Sequence, residues 1–183
     1  MGVFFLNRNM KIIIVLIIIV IILTPVIFTF YTNYKQEQER IGFRNALVSA
    51  SNIENQSDIE LHEVADGVSS YTEEIGTYLQ EDQKNYDEEI SILKEFNKTT
   101  SNQTQSEYLD LEIRRLEAEK LTYNQVIMDK TLNNEIITNY NQIVVNIKLE
   151  VMNFLIGHPD LKQDLESWGI DEDFIVEQKD RYN

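Results

Sequence analysis

The run from Ile12 to Phe30 constrains this chain more than any other feature. It is interrupted only by Thr24, Pro25 and Thr29, and no ionised residue lies between Lys11 and Lys35. A helix on a soluble domain needs a polar face, and this stretch has none. As helix it spans roughly 28 Å, close to the thickness of a bilayer's hydrocarbon core. Tyr31 and Tyr34 follow where an interfacial aromatic belt would fall. Residues 12–30 are therefore expected to be a transmembrane signal-anchor helix, with the lipid bilayer as their partner. The alternative is a cleaved signal peptide. Thr24-Pro25-Val26-Ile27-Phe28-Thr29-Phe30-Tyr31 lacks the small residues of a cleavage site, so retention is the reading adopted.

Orientation comes from the flanking charges. Arg8 and Lys11 precede the run, and residues 1–34 hold no acid. The positive-inside rule leaves residues 1–11 as a short cytoplasmic N-terminus and places the remainder outside a cell membrane, as a single-pass protein. Of 16 Lys+Arg and 31 Asp+Glu in 183 residues, 14 bases and all 31 acids follow residue 34, a net charge of −17. A field of that sign repels phosphate backbones, so no nucleic-acid partner is expected. The chain contains no cysteine, which removes disulfides, thiol chemistry and cysteine-ligated zinc.

Beyond the span the pattern is helical. Residues 35–156 contain no proline and three glycines, Gly42, Gly67 and Gly76. The expected fold class is all-α: the N-terminal transmembrane helix, then an elongated antiparallel helical hairpin or three-to-four-helix bundle of coiled-coil-like character. Residues 31–57 form a juxtamembrane helical segment, 58–156 the hairpin with its turn at 97–104, and 157–183 short helices that pack back on it. One apolar stripe joins Leu61, Val64, Val68, Tyr71, Ile75, Leu79, Tyr86, Ile90 and Leu93, with Asp82 as its polar intruder. It keeps phase through Gly67, which favours one helix from about Asp58 to Phe96 over a break there. Ser57 with Glu60, and Ser70 with Glu73, have capping-box spacing.

The second arm carries Leu109, Ile113, Leu116, Tyr123 and Ile127 with Lys120 on the line, then Leu132, Ile136, Tyr140, Ile143, Ile147, Val151 and Phe154. A five-residue step from Ile127 to Leu132 marks either a rotated face or a bend. Taken as one helix, the arm would be roughly 75 Å long. Because 36–55 spans only roughly 30 Å, the first arm is expected to point away from the membrane and the second to return. Gly157-His158-Pro159 stops the helix. Pro159–Ser167 is a further short helix, and Asp171 is the expected cap of another, with Trp168, Phe174 and Ile175 folding back.

Reactive chemistry is sparse. His62-Glu63-Val64-Ala65-Asp66 has Asp where a metal-binding helix motif needs its second His, and His158 sits at a helix stop. The acidic groups Asp58/Glu60/Glu63, Glu81/Asp82, Asp87/Glu88/Glu89 and Asp171/Glu172/Asp173 lack the glycine and terminal Glu of a calcium loop and read as solvated surface. Asn55, Asn97 and Asn102 begin N-glycosylation acceptor patterns. Tyr71, Tyr78, Tyr86, Tyr108, Tyr123 and Tyr140 read as packing residues, and Asn134 and Asn141 as possible register-setting pairs. No catalytic, cofactor-binding or metal residue is assigned, and no enzyme activity is expected.

The repeated Tyr-Asn pair, Tyr123-Asn124 and Tyr140-Asn141, resembles LemA-type proteins over those few residues; the rest of that pattern is missing. The arrangement is also similar to the four-helix sensory domains of chemoreceptors, which would require a second span. The expected function is a membrane-anchored extracytoplasmic interaction or scaffold module, with a protein partner or self-association through the hairpin. The alternatives are a surface immunity or exclusion protein against a cationic toxin or phage, and an extracytoplasmic ligand-binding sensor.

Overall fold

A computed structural model describes residues 8–54, 71–131 and 134–170. All of its regular structure is helical among the described residues: α1 Arg8–Glu54, α2 Glu73–Asn97, α3 Gln103–Asp129, α4 Asn134–Gly157 and α5 Pro159–Ser167. The chain divides into two compact units, Met1–Ile41 and Gly42–Asn183.

The first unit holds the apolar part of α1. Leu16, Ile21, Phe28 and Phe30 are all more than half exposed, and none of the apolar window is buried within the protein. With a mean hydropathy of 2.2, this helix near the N-terminus is long and apolar enough to cross a membrane. Three of its threonine hydroxyls donate to the helix's own carbonyls, as an apolar surrounding would require. Thr24 Oγ1 donates to the Val20 carbonyl at 2.7 Å, and Thr29 Oγ1 donates to the Pro25 carbonyl at 2.8 Å. Thr32 Oγ1 donates to the Phe28 and Thr29 carbonyls. Pro25 lies inside the helix without ending it.

The second unit begins with the last turns of α1. Phe43, Ala46, Leu47 and Ala50 are buried at helical spacing, and Phe43, Leu47 and Ala50 join a core with Leu93, Tyr108, Leu109, Val151, Leu155, Leu161 and Leu165. Phe43 is fully buried. Its ring lies 6.0 Å from Phe96, 6.0 Å from Tyr108 and 5.9 Å from Trp168, the last two edge-on. Edge-to-face aromatic pairs each add about 0.5–1.5 kcal/mol beyond area burial. A second core gathers Ile75, Leu79, Tyr123 and Val126.

Helices α2 and α3 pack antiparallel across the turn at 98–102. Glu73 at the start of α2 pairs with Lys130, just past the end of α3, at 2.8 Å. Lys94 near the end of α2 pairs with Glu117 at 2.5 Å. Asn102 caps α3 by accepting from Gln105 N, and the turn falls inside the expected 97–104. The stripe from Ile75 through Leu79 and Asp82 to Ile90 and Leu93 is buried as its periodicity implies.

Three expectations need correction. The helix expected from Asp58 to Phe96 is not continuous: Thr72 is extended and caps a new helix, its side chain accepting from Ile75 N at 3.2 Å. The start therefore lies two residues beyond the Ser70 box, while Ser57, His62 and Gly67 lie outside the described residues. The second arm is not one rod. Lys130 adopts a left-handed conformation (φ 49°, ψ 39°) that ends α3, and α4 folds back along it. Arg114 of α3 meets Glu150 of α4 at 2.8 Å, which fixes the antiparallel sense. The argument for a single returning arm falls with it. The buried face of α4 is also rotated: Val144, Ile147, Val151 and Leu155 are inside, whereas Ile143 is half exposed and Phe154 only partly buried.

Helix α5 matches its expected bounds and ends in a Schellman motif. Gly169 takes φ +76°, Ile170 N donates to the Leu165 carbonyl, and Gly169 N donates to the Glu166 carbonyl. This closure places Trp168 against Phe43, the inward fold expected of it. Asp171, Phe174 and Ile175 lie outside the described residues.

Candidate functional site

Two places concentrate chemistry beyond simple packing. The first is a set of buried charged side chains along α2 and α3. Asp82 and Glu89 of α2, and Glu112 and Glu119 of α3, are all at least nine-tenths buried. Arg115, itself nearly buried, reaches two of them: Nε lies 3.0 Å from Glu112 Oε2, and Nη1 lies 3.1 Å from Glu119 Oε2. The register set by Lys120 with Asp87 and by Lys94 with Glu117 brings Glu89 level with the Arg115–Glu119 turn. Tyr86 and Tyr123 meet edge-on at 5.3 Å on the side toward the second core. Both Arg115 ion pairs lie within α3, whereas the pairs that tie α2 to α3 are Lys94–Glu117, Lys120–Asp87 and Lys130–Glu73.

No group of three or more His, Asp and Glu placed to hold a metal ion occurs among the described residues. The acidic groups noted in the sequence are split by the helices that carry them. Glu89 is buried while Glu88 is exposed and Asp87 pairs with Lys120; Asp82 is buried while Glu81 faces out. Asp58/Glu60/Glu63, His62 and Asp171/Glu172/Asp173 lie outside the described residues. His158 has a structural setting. Its Nδ1–H donates to the Phe154 carbonyl at 2.8 Å, and its ring stacks on Phe154 at 4.2 Å.

Asn97 and Asn102, the acceptor residues in the turn, are both engaged. Asn97 Nδ2 donates to Asp110 Oδ1 at 2.7 Å, and its Oδ1 accepts from Ser106 Oγ at 2.6 Å. Asn102 serves as the α3 cap. Asn55 lies outside the described residues. Of the tyrosines, Tyr108 and Tyr123 are core, Tyr71 and Tyr86 pack against it, and Tyr78 is exposed. Nothing is described for the side chains of Tyr140, Asn134 and Asn141. On α1, an open groove of about 320 Å³ is lined by Pro25, Val26, Thr29, Phe30 and Asn33. All five belong to one helix, so no second element closes it.

The second place is the outer face of α4. Beyond its core face, that helix exposes three further apolar side chains among amides. Val144, Ile147, Val151 and Leu155 face the core, while Ile143 is 50% exposed, Leu149 37% and Ile156 72%. Asn139, Gln142, Asn146 and Asn153 share this outer surface. The sequence pattern missed it because Ile143 and Val144 are adjacent and both apolar, so periodicity alone could not choose which faces inward. No family model, curated protein or solved structure matches this chain.

Proposed function

We propose that this chain is a membrane-anchored extracytoplasmic module that acts by protein–protein contact. The span α1 supplies the tether, through its apolar residues 12–30. The helices after residue 42 form a bundle whose outer α4 face supplies the contact. The observation that carries the reading is the exposure of Ile143, Leu149 and Ile156 on α4. Exposed apolar surface rimmed by polar residues marks interaction sites in soluble domains. The pairs Lys94–Glu117, Lys120–Asp87 and Lys130–Glu73 are given a supporting role, holding α2 and α3 in register.

In-cell photo-crosslinking from Leu149, in the full-length protein, tests this reading. A defined crosslinked product that is absent when the same group is placed at Glu88, on the exposed side of α2, supports it. Equal and diffuse labelling from both positions contradicts it. The −17 charge beyond residue 34 favours a second reading, a surface immunity or exclusion protein that captures a cationic toxin or an incoming phage component. A deletion strain with unaltered sensitivity to such agents removes that reading and leaves the first intact.

A further inference from the structure

We draw no further inference here: the strongest candidate, the surface patch that the exposed side chains of Leu121 and Met128 form along the outer side of α3, has nothing in the structure to show what covers it.

Discussion

Arg115 Nη1 lies 3.1 Å from Glu119 Oε2, one turn along α3, and both side chains are nearly closed off from solvent. Glu112 is held by the same guanidinium from the turn before. Asp82 and Glu89 of the facing helix are buried too. Replacing a single partner of a buried ionic group is costly, because the remaining charges stay where water cannot reach them.

Arg115→Met is therefore expected to destabilise the helical unit by about 3–5 kcal/mol. Arg115→Met with Glu119→Gln should lose less than the single variant, since one uncompensated carboxylate has been removed. Denaturant unfolding followed by circular dichroism checks both. Equal stability of Arg115→Met and the parent would mean that the guanidinium contributes only packing.

Gly42 lies where α1 passes Phe96 closely. A Cβ built there would stand 2.8 Å from Phe96 Cε2, a separation that a ring in a filled core cannot absorb freely. Gly42→Val should destabilise by about 1–3 kcal/mol, the usual penalty of overpacking. Phe96→Leu in the same chain makes room, so the double variant should fall short of the summed losses. Additive losses would show that the two sites do not touch.

Lys130 takes a left-handed conformation that a Cβ disfavours, at the point where α3 gives way to α4. Lys130→Gly should accordingly be more stable than Lys130→Ala, both having lost the ammonium. Its side chain donates to Glu73, and that hydrogen bond, reinforced by the carboxylate charge, raises the Lys130 pKa above its ordinary value. A raised folded-state pKa means that the link contributes fully below the ordinary lysine value and is lost as pH rises through the raised one. The melting-temperature difference between the parent and Glu73→Gln should therefore shrink at strongly alkaline pH. A difference that stays constant through that range would assign it to something other than this pair.

These sites also show how far the sequence could be read. The α2 stripe was legible, down to buried Asp82, because α2 packs on α3 along one face throughout. The turn at 98–102 was legible because Asn102 and its polar neighbours have few other uses. The fold-back after Asp129 was not. A lysine gives no sign of a left-handed residue, and the five-residue step from Ile127 to Leu132 fits a rotated face as well as a reversal. Thr72 prevailed over Ser70 as the cap, and hydroxyl residues two apart offer the same chemistry to a helix start. The buried position of Arg115 was likewise hidden, since one arginine among acids on a helix ordinarily reads as surface.

The central claim is that the helical unit lies outside a membrane to which α1 fastens it. Ser101→Cys places one thiol in the exposed turn between α2 and α3 of an otherwise cysteine-free chain. Intact cells treated with a membrane-impermeant maleimide should label this variant fully without permeabilisation, and the labelled full-length protein should stay with the membranes after alkaline extraction. Labelling only after permeabilisation, or full-length protein recovered in the soluble fraction without detergent, would contradict it.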